Sequence, residues 1–130
     1  MRDRTVSALL LAVGLANLLP GVAGLLPSAT GTLYGVEATD PSTELVFRHR
    51  AVLLALVGGG LLAAVLSRRF RPAAIGAAAL SMSGFLALWL AVPGTSAELG
   101  RVAAVDVAAL AALAVAAWLD NGVRRLGSAT

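Results

Sequence analysis

The sequence predicts an all-α integral membrane protein, an up-down bundle of four transmembrane helices that forms a single domain over residues 1–130. Of these residues 58% are apolar and 13% charged, whereas about a quarter of a soluble domain is charged. Four apolar stretches fill most of the chain, at about 5–26, 44–66, 72–92 and 97–119. Each has the ~20 residues that an α-helix needs to cross ~30 Å of hydrocarbon. The short connections after the second and third stretches require antiparallel neighbours.

The beginnings of the first two spans are marked in the sequence. The first follows Arg2, Asp3 and Arg4, and its apolar run exceeds the ~7–15 residues of a signal-peptide core, so we expect it to be retained as a membrane anchor. The second follows Asp40-Pro41, an N-cap residue with proline at the first helical position.

The third and fourth spans have similar signals. Pro72 can begin the third, and Thr95-Ser96-Ala97-Glu98 fits a capping box that opens the fourth. Asn121-Gly122 is predicted to end the fourth helix. Trp89 and Trp118 fall near opposite faces of the membrane, as aromatic residues at the two membrane interfaces do.

Arginines at the span ends predict the orientation in the membrane. One side has seven of them, Arg2, Arg4, Arg68, Arg69, Arg71, Arg124 and Arg125. The other has three, Arg48, Arg50 and Arg101. The positive-inside rule places both termini and the 67–71 loop in the cytoplasm, and the 27–43 loop and the 93–96 turn outside. We therefore predict a multi-pass protein of the cell inner (plasma) membrane.

Several functional classes are excluded by residue types. No cysteine is present, which removes thiol chemistry, iron–sulfur clusters and Cys-based zinc sites, and there is only one histidine. No lysine and no basic face with interleaved aromatics occurs, so nucleic acid is not an expected partner. Phosphate-loop, nucleophile-elbow and HExxH motifs are also missing. No metal, cofactor or catalytic residue is predicted from these patterns.

Small residues recur at helical spacing and predict close helix contacts in lipid. They are Ala55, Gly59 and Ala63 on the second span, and Gly76 with Ala77-Ala78-Ala79 on the third. The same faces could also assemble with a second copy or with another membrane protein.

Polar side chains within the spans carry the functional information, because intramembrane charge is costly. The candidate binding residues are Asn17, Glu44, Arg48, His49, Arg50, Ser81, Ser83 and Asp106. By helical rise they converge on the middle and outer half of the bundle, where a pocket open to the outside would need them.

Helical angle favours Arg48 as the partner of Asp106. Arg48 projects within ~20° of Ala55 and Gly59, while Arg50 lies ~200° from it and is expected to point outward. Glu44 lies one turn before Arg48 and is an alternative partner. These groups could equally be a headgroup-level anchor and a pair that fixes helix register.

Three segments resemble a known group of proteins. Tyr34-Gly35-Val36-Glu37 with Asp40-Pro41, the stretch Phe47–Leu53 and the stretch Ser81–Phe85 resemble small bacterial four-span membrane proteins of unknown function in the DoxX-like set. Some such proteins are labelled phosphopantetheine adenylyltransferase, a soluble α/β enzyme with an HxGH motif. The sequence does not support that label, because Arg50 and Ala51 follow its single histidine. Some DoxX-like relatives work with quinone-linked oxidoreductases, which implies a quinone as one ligand.

Three functions are consistent with these features. The first is a bundle that binds a small molecule, quinone or lipid in a polar pocket of its outer half. The second is a structural or assembly subunit of a larger membrane complex, or a homo-oligomer. The third is a membrane redox or proton-transfer subunit in which His49 moves protons.

Overall fold

The computed structural model is a bundle of four helices without strands in the residues it describes, 1–26 and 40–127, with side chains described as far as Asn121. The helices are α1 (Arg2–Ala23), α2 (Pro41–Leu66), α3 (Arg71–Ala91) and α4 (Ala97–Gly127). All four are long and apolar enough to cross a membrane, which confirms the predicted all-α fold class. Most of the predicted 27–43 loop, including Glu37, lies outside the described residues.

Two caps at helix starts were tested by the structure. Asp40 caps α2 as predicted, since its carboxylate accepts hydrogen bonds from the backbone N–H groups of Ser42 and Thr43. The capping box predicted for α4 is wrong in its register, because Ser96 is the residue whose hydroxyl accepts from the Leu99 N–H.

Other boundaries differ in detail. A short 3-10 turn, Arg68–Phe70, leads directly into α3, and Pro72 lies in its first turn. The prediction that α4 ends at Asn121-Gly122 is wrong, since the helix continues to Gly127. Asn and Gly cost a helix only about 0.7–1 kcal/mol each relative to alanine, and no proline follows to break it.

Helices α1 and α2 approach each other most closely because glycines face the partner backbone. A Cβ on Gly58 would lie 2.5 Å from the backbone nitrogen of Leu18, and one on Gly21 would lie 2.5 Å from that of Ala55. Backbone atoms cannot move aside as a flexible side chain can. Glycine at these two positions therefore sets the distance between the helices.

The packing faces expected on α2 and α3 are partly wrong. Ala55 does contact α1, but a Cβ on Gly59 would meet nothing within 4 Å, and Ala63 is exposed. Of the small residues predicted for α3, Ala78 is buried while Gly76 and Ala77 are exposed. The residues that α2 buries are Ala51, Gly58, Leu61 and Ala64.

Most of the apolar core lies in one half of the bundle. We call the end where α1 begins and α4 ends the proximal end, and the opposite end the distal end. The core cluster is built largely from residues of the proximal half, among them Val6, Leu10, Leu61, Ala64, Ala78, Leu113 and Ala116. The helices are therefore packed tightly toward the proximal end, and the distal half is where space remains between them.

Candidate functional site

Two cavities open into the distal half of the bundle. The first, which we call the α1–α4 cavity, has a volume of about 290 Å³ and is lined by α1, α2 and α4. Its exposed lining residues, Ala16, Arg101 and Val105, belong to α1 and α4. This cavity therefore opens through the seam between those two helices.

The second cavity, which we call the α2–α3 cavity, has a volume of about 360 Å³. Its exposed lining residues belong to α2 and α3 and are Leu53, Leu80, Ser81, Gly84 and Leu88. It therefore opens on a different side of the bundle from the α1–α4 cavity.

The two cavities meet at four residues that line both of them, Asn17, Arg50, Leu54 and Asp106. Arg50 and Asp106 each lie nine residues into their helices, which is about 14 Å from the distal helix ends at 1.5 Å per residue. Ser81 lies ten residues before the end of α3, about 15 Å by the same rise. A charged pair and a hydroxyl thus occupy one level near the middle of the bundle.

The side chains at this level are held by their neighbours. The guanidinium of Arg50 lies 4.6 Å from the centroid of the Phe85 ring, a cation–π distance. Arg50 and Asp106 line both cavities and so border the same space. Asn17 is buried, and its Nδ2 donates to the Val13 carbonyl at 2.9 Å. The arrangement presents a cation, a carboxylate and an amide to the same space.

The prediction that Arg48 meets Asp106 is wrong. Arg48 is exposed and forms an ion pair with Glu44 at 2.5 Å, the alternative that one-turn spacing offered. The angle was measured from Ala55 and Gly59; Ala55 contacts α1, but a Cβ on Gly59 would meet no neighbour, so the two do not define the face of α2 that meets α4. Measured from the buried Leu61, eleven residues along α2, Arg50 differs by only about 20° and points inward.

The remaining candidates divide between the cavities and the surface. Ser81 and Ser83 are both exposed, but only Ser81 lines a cavity, the α2–α3 cavity. His49 is also exposed and lines neither cavity. An imidazole in that position is not placed to exchange protons with Asp106. Among the described residues no three His, Asp or Glu side chains are grouped as a metal site.

Sequence reasoning missed a second polar cluster, at the proximal end. Arg71 is only 2% exposed, and its Nη1 lies 2.7 Å from Asp3 and 3.0 Å from Asp120. Its Nη2 donates to the Ser7 hydroxyl at 3.1 Å and its Nε to the Ala64 carbonyl at 3.3 Å. One guanidinium therefore connects all four helices, which we call the proximal ionic cluster.

A signal for this cluster does exist in the sequence. Arg71 lies seven residues before the buried Ala78, and Asp120 lies seven residues after the buried Leu113. Residues seven apart share a helix face. Arg71 and Asp120 therefore lie on the helix faces that pack into the core. This position distinguishes Arg71 from its exposed neighbours Arg68 and Arg69.

Comparison of the chain with protein-family models, with curated proteins and with solved structures returns no match. The functional interpretation accordingly depends on the site itself.

Proposed function

We propose that this multi-pass membrane protein binds an amphiphilic small molecule, a lipid or a quinone, at the level of Arg50 and Asp106. One observation carries the proposal: two cavities of a membrane-spanning bundle meet where Arg50 and Asp106 line both of them. Their volumes, about 290 and 360 Å³, lie near the lower end of the ~300–1,000 Å³ typical of ligand pockets.

The cost of placing charge at this depth supports a functional role. A guanidinium and a carboxylate about 14 Å from the helix ends lie well inside a ~30 Å hydrocarbon layer. Intramembrane ionisable groups that face a cavity commonly mark ligand or ion pathways. A pair with only a structural role is expected to be enclosed by protein groups, as Arg71 is.

The chemistry of the lining selects the kind of ligand. Arg50 carries a donor-rich guanidinium suited to a carbonyl or phosphate oxygen, and Asp106 and Asn17 add a carboxylate and an amide. Leu53, Leu80 and Leu88 line the α2–α3 cavity with apolar surface. A molecule with one oxygen-bearing end and one hydrocarbon part matches both surfaces.

The direct test is native mass spectrometry of protein released from native membranes. Arg50→Ala should lose a copurifying amphiphile that wild type retains, because the substitution removes the cation between the cavities. Arg48→Ala is a matched control, since it removes the same side chain two residues away from an exposed pair with Glu44.

The outcomes separate cleanly. Wild-type occupancy that survives Arg48→Ala and falls at least tenfold in Arg50→Ala supports the site. Wild-type protein that carries no bound molecule, or equal occupancy in both variants, contradicts it. Asp106→Asn provides a second variant that removes charge without removing volume.

A further inference from the structure

The mouths of the two cavities differ in charge and in depth. At the mouth of the α1–α4 cavity lie Glu98 and Arg101, which pair at 3.5 Å, with Arg101 77% exposed. Both belong to the first five residues of α4, within about 6 Å of its distal end. This mouth thus begins at the depth where a membrane meets water, and it extends to the exposed Val105, about 12 Å along α4.

The mouth of the α2–α3 cavity has no charged side chain among its exposed residues, its one polar member is Ser81, and it extends deeper. Leu53, Leu80 and Leu88 are all exposed. Leu80 and Leu88 lie eleven and three residues before the end of α3, so this mouth extends from about 5 to about 17 Å below the distal helix end. In a bilayer these depths belong largely to the hydrocarbon layer.

We infer that the α2–α3 seam is a lateral entrance through which the hydrocarbon chain of a bilayer amphiphile enters, while the α1–α4 mouth faces water. This inference depends on the proposed function and specifies the origin of its ligand. The chain would lie in the α2–α3 cavity, and the oxygen-bearing end would meet Arg50 and Asp106, where the two cavities join. A water-borne reactant could then reach that end through the α1–α4 mouth.

Gly84 offers a way to close the lateral entrance without disturbing the bundle. It lines the α2–α3 cavity, and a Cβ built on it meets nothing within 4 Å. Gly84→Leu should therefore place a side chain across the mouth without a clash. Gly76, on the same helix and equally open, does not line the cavity, so Gly76→Leu is the matched control.

The experiment uses a fatty acid with a diazirine in its chain, dissolved in membranes that contain the full chain and activated by light. Labelled positions are read by peptide mass spectrometry. The informative positions are Leu54, Met82 and Asp106, lining residues that are buried or half-buried. Lipid on the outside of the bundle has little access to them.

We expect label at these positions in wild type, a reduction of at least fivefold in Gly84→Leu, and no change in Gly76→Leu. Ala16→Leu, which narrows the other mouth, should leave labelling within twofold of wild type. Equal labelling in Gly84→Leu and wild type overturns the lateral entrance, and so does a wild type without label at Leu54, Met82 and Asp106. If an Arg50-dependent ligand copurifies in either case, the proposed function stands and its ligand arrives from water.

Discussion

Each half of this bundle contains an arginine and an aspartate that border the same space, and the two sets differ in what surrounds them. Arg71 is 2% exposed and contacts Asp3, Asp120, Ser7 and Ala64, one partner or more on each of the other three helices. Arg50 is half-buried between two cavities and contacts the Phe85 ring. A buried charge whose hydrogen bonds are satisfied by protein groups holds helices together. A charged pair that borders open space can instead interact with a molecule that enters it.

The comparison is tested most strongly by removing Arg71. Arg71→Met leaves Asp120 buried without its cation, and we expect the free energy of unfolding to fall by about 3–5 kcal/mol. The measurement is unfolding in mixed micelles with increasing dodecyl sulfate. Arg69→Met, an exposed neighbour, should change stability by less than about 0.5 kcal/mol. Equal stability of the two variants would show that the proximal ionic cluster does not hold the bundle.

Neutralising one aspartate at each end compares the two pairs directly. Asp120→Asn weakens a buried bond to Arg71 and should cost about 1–3 kcal/mol. Asp106→Asn lies beside cavities that can admit water and should cost less than about 1 kcal/mol while reducing ligand occupancy. The same micelle assay and native mass spectrometry read the two effects. A larger stability loss at Asp106 would reverse our assignment of roles.

Because α1 and α2 are in close contact, the cavities of the distal half open between other pairs of helices. Adding a single methyl group at a contact glycine should weaken this contact. Gly58→Ala places a Cβ 2.5 Å from the backbone nitrogen of Leu18, which should destabilise the bundle by about 1–3 kcal/mol. Gly59→Ala meets open space and should be neutral or slightly stabilising. Thermal unfolding in detergent measures both, and similar melting temperatures would contradict the close approach of these helices.

The smallest expected effect concerns the cap at the distal end of α2. Hydrogen bonds from the Thr43 hydroxyl and backbone N–H, and from the Ser42 N–H, hold the pKa of the Asp40 carboxyl below its ordinary value of 3.8. Its stabilisation is therefore present above pH 3.8 and is lost as pH falls through the lowered pKa. Asp40→Asn cannot titrate, so its thermal stability relative to wild type should rise on acidification below pH 3.8. A constant difference across that range would exclude the cap as the cause.

The fold was largely predictable, because span length and hydropathy depend on composition rather than on contacts. The depth of the polar residues was also predictable, since helical rise brings Arg50, Ser81 and Asp106 to one level. The prediction of Arg48, and not Arg50, as the arginine nearest Asp106 was wrong for a physical reason. Small residues such as Gly59 can face either a helix or lipid, so they do not define the packing face of α2.

Arg71 is a buried residue that the sequence analysis assigned to the membrane surface. In a run with Arg68 and Arg69 it was interpreted as a topology signal, which is the common role of arginine at a span end. Its burial depends on Asp3 and Asp120, which are 68 and 49 residues away along the chain. Pairings at that separation arise from the tertiary packing of α1, α3 and α4. The seven-residue spacing indicates that Arg71 and Asp120 face the core, but it does not show which residues pair.

The contrast between the two ends can be measured most directly with single cysteines, since the natural chain has none. Three serines provide nearly isosteric positions: Ser7 in the proximal ionic cluster, Ser81 in the α2–α3 cavity and Ser83 on the exposed face of α3. A small neutral maleimide added to native membranes reacts with the thiolate, which is favoured beside Arg50, where water enters through the α1–α4 mouth, and disfavoured in hydrocarbon. We predict that Ser81→Cys reacts at least tenfold faster than Ser7→Cys and Ser83→Cys, with equal rates after unfolding. A Ser7→Cys rate that equals or exceeds that of Ser81→Cys would contradict a sealed proximal end and an open distal site.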